Sequence, residues 1–201
     1  MKILGISCSP RKKGNTVTLL EEALKGALEY GAETELFSVV GKDIRGCDGC
    51  YSCMATGECY IQDDMQSLYE KLIGADGVIF GSPIYYYGMT AQAKAIMDRT
   101  FSLNRPGKSL ANKVGGVIIV AGSLGLIDAL KNYYFFITVQ RMLPANFVAA
   151  YGTQKRDAKK LEKGMQAAFM LGKEMVVLVN KKFEFPNEFP RNFFGFGTHT
   201  H

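Results

Sequence analysis

Short apolar runs alternate along this chain with segments whose apolar residues recur at helical spacing. That alternation restricts the chain to a parallel sheet covered by helices on both faces. Lys2–Ser7 is a short apolar run that ends in a polar loop, and it reads as a buried strand. From Thr16 onward Val17, Leu19, Leu20, Ala23, Leu24, Ala27 and Leu28 follow a helical period, with Gly31 as the stop signal. Glu33–Val40 reads as a second strand, and residues 41–62 as a loop. Asp63 or Asp64 can cap a helix running to Ile73. Gly77–Gly81 is then a third strand, Met89–Phe101 a helix, Val114–Ala121 a fourth strand, Leu126–Met142 a helix and Asn146–Ala150 a fifth strand. Lys155–Lys182 reads as one long final helix.

This pattern fits an α/β three-layer sandwich of flavodoxin-like type, with a five-stranded parallel sheet of order 2-1-3-4-5. Ligands of such sheets bind beyond the carboxyl ends of the strands, at the switch point between strands 1 and 3. The loops after strands 1, 3 and 4 are therefore the places to look. One domain is expected over residues 1–182, with the loop 41–62 inserted in it. Residues 183–201 differ: six phenylalanines and two prolines between Phe183 and Phe196 cannot make a regular helix. They are expected to form an extended C-terminal arm on a neighbouring subunit; the alternative is a cover for an apolar patch of the same domain.

The 201 residues suffice for a full hydrophobic core, and 47% hydrophobic with 21% charged residues is ordinary for a globular protein. No apolar run approaches the roughly 20 residues that span a bilayer. Met1–Ser7 lacks the apolar core of a signal peptide, so a cytoplasmic location with reduced thiols is expected. The net charge of +5 is spread over pairs such as Lys12-Lys13, Lys159-Lys160 and Lys181-Lys182. This reads as solvated surface, with no membrane or nucleic-acid partner expected. The only histidines are His199 and His201. A Ser-His-Asp or Cys-His site in the body of the domain is thereby excluded, and chemistry must come from cofactors or carboxylates.

Four of the five cysteines crowd into one loop, as Cys47, Cys50, Cys53 and Cys59 with spacing C-x2-C-x2-C-x5-C. The spacing is too compact for a web of disulfides and suits four thiolates on one inorganic centre, either zinc or an iron–sulfur cluster. Zinc sites usually present two C-x2-C knuckles across a longer spacer. Here the first three cysteines follow the C-x2-C-x2-C of ferredoxin cluster loops, and Cys59 would close the same centre. Gly46, Gly49 and Gly57 allow the backbone to fold around a bulky group. A 4Fe–4S cluster is the favoured occupant and zinc the alternative. Cys8 stands apart, as a small buried residue.

The loop after strand 1 reads Ser7-Cys8-Ser9-Pro10-Arg11-Lys12-Lys13-Gly14-Asn15-Thr16 and ends at a helix N-terminus. Backbone N–H groups, hydroxyls and a guanidinium suit a phosphate there, whereas the absence of both G-x-G-x-x-G and a Walker loop points to a mononucleotide. The alternative is a plain helix cap by Asn15 or Thr16. The loop after strand 3 holds Pro83, Ile84, Tyr85, Tyr86, Tyr87 and Gly88. Three consecutive tyrosines cannot share one core; they suit the face of a planar ligand or a subunit interface.

Together Ser9-Pro10-Arg11-x-x-Gly14-Asn15-Thr16, Ser82-Pro83-Ile84-Tyr85-Tyr86-Tyr87-Gly88 and Ala91-Gln92-x-Lys94-Ala95-x-Met97-Asp98-Arg99 resemble the NAD(P)H-dependent FMN reductase superfamily. With the cysteine motif added, the chain resembles its iron–sulfur flavoprotein branch over about residues 1–180. The resemblance implies FMN, one 4Fe–4S cluster per chain, and a homodimer or dimer of dimers. Ser9, Arg11, Asn15 and Thr16 match phosphate-loop positions, and Pro83 to Gly88 match the segment lining the isoalloxazine. The turn after strand 4, Ala121-Gly122-Ser123-Leu124-Gly125, departs from the glycine-rich form of these flavoproteins, and Ser123 is taken as its flavin contact. The expected function is an oxidoreductase that passes electrons from a one-electron donor such as ferredoxin through the cluster to FMN. The final acceptor could be dioxygen, peroxide or a quinone. Alternatives are an NAD(P)H-dependent FMN or quinone reductase with an accessory cluster, and a zinc-stabilised flavodoxin-like binding module. No catalytic acid or base is singled out.

Overall fold

The computed structural model describes residues 1–104, 109–155 and 157–186. Five strands, β1 (Lys2–Ser7), β2 (Glu33–Ser38), β3 (Gly77–Tyr85), β5 (Val114–Ala121) and β6 (Leu143–Tyr151), form a parallel sheet in the order β2-β1-β3-β5-β6. This is the flavodoxin-like order expected from the sequence. A two-residue strand, β4 (Gly88–Met89), folds back on β3 as a hairpin, so the sheet has six strands.

Side chains leave each strand alternately towards two cores. Val78 and Phe80 of β3, with Val117 and Ile119 of β5, face the layer of α3 (Met65–Gly74), α4 (Ala91–Arg99) and α5 (Leu126–Val139). Ile79, Ile118 and Val120 face the layer of α1 (Asn15–Glu29) and α6 (Glu162–Asn180). Both faces are dry, which is why the central strands read as continuous apolar runs. A short helix, α2 (Ser52–Thr56), lies inside the cysteine loop. Among the described residues no helix is long and apolar enough to cross a membrane.

Several boundaries differ from the expectation: the second strand ends at Ser38, the helix from Leu126 ends at Val139, the last strand spans Leu143–Tyr151, and three further differences bear on the site. β3 continues four residues beyond Gly81, because Ser82 and Pro83 still pair with Ile119 and Val120 of β5. The helix expected at Met89–Phe101 is α4 followed by a 3-10 turn, Thr100–Leu103. The single helix expected at Lys155–Lys182 is a 3-10 turn, Asp157–Lys160, and then α6. The interruption has a local cause: the Asn15 side chain holds the backbone at Gln154 (2.9 Å) and Ala158 (3.1 Å), so α6 begins only after this anchorage.

Most of the expected arm, residues 187–201, lies outside the described residues. Its first part folds against the chain's own surface: Phe185 N–H donates to the Asn112 side chain (3.0 Å), and the Arg141 guanidinium lies 5.1 Å from the Phe185 ring centre.

Helices α1 and α6 approach closely at two glycines. A Cβ on Gly172 would fall inside the van der Waals surface of the Ala23 carbonyl oxygen, and one on Gly26 inside that of Phe169. Since the obstruction is backbone, side-chain rotation cannot relieve it. Gly172→Ala is expected to lower the unfolding free energy by about 1–3 kcal/mol or more, read as a lower urea midpoint. An unchanged midpoint would show that the helices can separate freely.

Candidate functional site: a cleft at the carboxyl edge and a cysteine loop beside it

The loop after β1 is tightly folded before α1 begins. The Ser9 hydroxyl accepts the Arg11 N–H (3.2 Å), and Gly14 N–H donates to the Arg11 carbonyl (3.2 Å). Gly14 caps α1 with extended backbone and without any side-chain cap bond. The reading of Asn15 or Thr16 as an ordinary side-chain cap therefore does not describe this helix. The N–H groups of the first turn keep no side-chain acceptor, and Gly14, Asn15 and Thr16 line a cleft. A helix start with open donors favours an anion.

The loop after β3 is a hairpin with Tyr86 and Tyr87 at its tip. Tyr85 pairs with Gly88, and Tyr86 and Tyr87 have φ of 50° and 66°, the left-handed pair that a two-residue hairpin turn needs. Neither residue is glycine, so the turn carries backbone strain. Its conformation puts the tyrosines outside: Tyr86 is 99% and Tyr87 59% exposed. Gly125, at φ 96°, supports the hairpin, because a Cβ there would lie 2.6 Å from Tyr87 Cα.

Ser9, Arg11, Asn15, Thr16, Pro83, Ile84 and Tyr85 meet around one cleft of about 220 Å³. Tyr86, Tyr87 and Gly88 sit beyond its lining, on the hairpin. Ser123 is exposed and also outside it; the lining residue of that turn is Gly122. Gly152 and Thr153, just past β6, complete the wall and were missed from the sequence. Their signal was positional, since they follow a strand's carboxyl end like the other loops. The Asn15 side chain joins the first loop to this fourth one, and a Cβ on Gly152 would come within 2.8 Å of its Nδ2. Asn15 thus shapes the cleft instead of simply presenting an amide to it.

The cysteine loop leaves β2 and returns at α3. Its neck is held by Asp64, whose carboxylate accepts the Asp43 N–H (2.8 Å), and by Gln66, which donates to the carbonyls of Cys59 (3.2 Å) and Ile61 (2.7 Å). Gly49 (φ 69°), Tyr51 (φ 58°) and Gly57 (φ 76°) bend the backbone, with open space around both glycines. No described cysteine is in a disulfide; Cys47 and Cys50 are exposed, Cys53 and Cys59 half-buried. Burial pushes the Cys53 thiol up, and the charges of Cys59, Cys47 and Cys50 push it the same way. Among the described residues no three metal-binding side chains are gathered into a formed metal site. Cys8 is different: it lies in the core, 2% exposed, and burial pushes its thiol up to about 12.

A sequence model of the NADPH-dependent FMN reductase family matches residues 1–156. The chain is 39% identical over 194 residues to an iron–sulfur flavoprotein of Methanocaldococcus jannaschii, covering 90% of this chain and 100% of that one. It is 46% identical over 147 residues to an iron–sulfur flavoprotein of Archaeoglobus fulgidus, covering 72% and 75% of the two chains. The chain belongs to the NADPH-dependent FMN reductase family, among its iron–sulfur flavoproteins. It is accordingly a flavin-dependent oxidoreductase. The solved NAD(P)H:quinone oxidoreductase from Methanothermobacter marburgensis superposes with a TM-score of 0.69 over 87% of this chain and 98% of that one. At 15% identity that likeness shows the shared fold.

The thiol environments predict a labelling pattern. In iron-free native protein at neutral pH, a thiol reagent should modify Cys47, Cys50, Cys53 and Cys59 and leave Cys8 until the chain unfolds. Cys8 labelling as fast as the loop thiols, read by peptide mass, would contradict its burial.

Proposed function

We propose that this oxidoreductase takes electrons from a one-electron donor such as ferredoxin through a 4Fe–4S cluster on the cysteine loop, and delivers them by FMN to a small acceptor such as dioxygen, peroxide or a quinone. The observation that carries the reading is the pairing of a phosphate-suited cleft with a four-thiol loop in one chain. FMN supplies the chemistry that joins one-electron and two-electron steps.

The cleft fits an FMN phosphate. Ser9 and Thr16 offer hydroxyls, the open first turn of α1 offers N–H groups, and Arg11 offers a compensating charge. Arg11 Nη1 lies only 3.5 Å from the Thr153 carbonyl and is otherwise exposed, so the guanidinium can turn to an anion at little cost. Pro83, Ile84 and Tyr85 supply an apolar wall for a ring system. The cysteine loop fits a cluster in its donor set: four thiols on a loop with left-handed bends and unfilled space at Gly46, Gly49 and Gly57. Zinc would take the same four sulfurs, so composition decides between them.

A homodimer or dimer of dimers, with the exposed tyrosine hairpin at an interface, belongs to the same proposal. A second reading, direct reduction of the flavin by NAD(P)H with an accessory cluster, draws support from the family match to NADPH-dependent FMN reductases.

Cys50→Ala is expected to lose the iron and sulfide of the purified protein, to keep FMN, and to oxidise reduced ferredoxin at background rate. Oxidation at the wild-type rate would contradict the cluster's role. Rapid flavin bleaching by NADPH without ferredoxin would favour the second reading.

A further inference from the structure

One buried ion pair stands at the neck of the cysteine loop and is not used by the cleft. The Arg99 side chain is 0% exposed and that of Asp63 is 1% exposed. Their contact is a fork: Arg99 Nη1 donates to Asp63 Oδ2 (2.8 Å) and Nη2 to Oδ1 (3.1 Å). Apart from the Arg99 Nε bond to Tyr69, the other hydrogen bonds of both groups go to backbone at the two ends of the loop. Arg99 Nη1 donates to the Arg45 carbonyl (2.9 Å) and Nη2 to the Ile61 carbonyl (3.3 Å). Asp63 accepts the Arg45 N–H (3.0 Å) and the Met65 N–H (3.0 Å). The peptide groups just before Cys47 and just after Cys59 are therefore gripped by one planar pair. Burial alone would neutralise both charges; the fork and these N–H groups hold Asp63 below the usual carboxylate range and Arg99 above its usual value.

Arg99 ends α4, and the other end of α4 is tied to the cleft. Thr90, its N-cap, donates its hydroxyl to the Cys8 carbonyl (3.0 Å) beside Ser9, and accepts the Ala93 N–H (3.2 Å). Thr90 N–H donates to the Ser82 hydroxyl (3.2 Å), next to Pro83 of the cleft. Helix α4 is thus a strut of nine residues, about 13 Å at the helical rise, between the cleft loops after β1 and β3 and the neck of the cysteine loop. Tyr69 locks the far end, donating to the Arg99 carbonyl (3.0 Å) and accepting from Arg99 Nε (3.3 Å). Phe101 meets Tyr51, inside the cysteine loop, edge to face at 6.1 Å.

We propose that the Arg99–Asp63 pair is the positioning device of the cysteine loop: through α4 it fixes where the four thiols stand relative to the flavin cleft. A buried pair adds little to global stability against an apolar replacement, but losing one partner leaves an uncompensated charge. What this pair adds is a fixed geometry at two backbone sites that are distant in sequence. The inference rests on the reading of the cysteine loop as a cluster site, and its test separates the two.

Arg99→Lys keeps a charge but cannot reach Asp63, Arg45 and Ile61 with one fork. The variant, purified as the wild type is, should retain FMN and a cooperative urea transition, at a lowered midpoint. Tryptic cleavage after Arg45 should accelerate by about tenfold or more, as the neck opens locally. The electron paramagnetic resonance spectrum of the reduced cluster should broaden or shift, whereas the flavin spectrum should not. Cleavage after Arg45 no faster than global unfolding, with an unchanged cluster spectrum, would overturn the proposal. If the wild-type protein holds no iron or sulfide, the cluster reading fails, and cleavage after Arg45 still decides the clamp. If Arg99→Lys does not fold, hydrogen exchange of the wild type decides: Arg45 and Met65 amides should be as protected as those of β1 and β3, and exchange at the rate of Gly46–Tyr51 would overturn the proposal.

Discussion

The carboxyl ends of β1, β3 and β5 lie side by side because the sheet is parallel and dry on both faces, and the candidate chemistry depends on that edge. A parallel sheet sends every strand-to-helix connection out at the same end. The phosphate-suited loop after β1, the tyrosine hairpin after β3 and Gly122 after β5 meet there without long-range search. The close approach of α1 to α6 at Gly26 and Gly172 keeps one face of the sheet closed behind them.

Small polar side chains then join neighbouring loops into one object. Asn15 links the first loop to the connection after β6, and Thr90 links it to the hairpin side through the Cys8 carbonyl. These bonds are short, buried or half-buried, and each satisfies a backbone group that would otherwise be an orphan. The charged pair at the cysteine loop extends the same scheme outward. The cleft and the loop are separate sites tied to opposite ends of α4.

The strand order was legible in the sequence because continuous apolar runs and amphipathic helices have different periods, and β1 and β5 run from Lys2 to Ser7 and Val114 to Ala121 as read. The cysteine spacing was equally plain. What could not be read was long-range. Nothing local announces that Asn15 would interrupt the final helix at residues 154–158, or that Arg99 would reach a neck formed by residues 45 and 61. In the turn after β5, Ser123 is exposed and Gly122 is the residue that lines the cleft, a difference of one position that the sequence pattern does not resolve. The hairpin was hidden for another reason: Tyr86 and Tyr87 are poor residues for left-handed backbone, so the usual Asn-Gly signal of a two-residue turn is missing.

Under the proposed function, one chain holds a flavin at its sheet edge and an iron–sulfur cluster on its cysteine loop. Anaerobic purification followed by an absorption spectrum and counts of iron, acid-labile sulfide, zinc and flavin tests it most directly. Iron and sulfide are expected in equal amounts near four per chain, with about one FMN and no stoichiometric zinc. One zinc per chain without sulfide would contradict it.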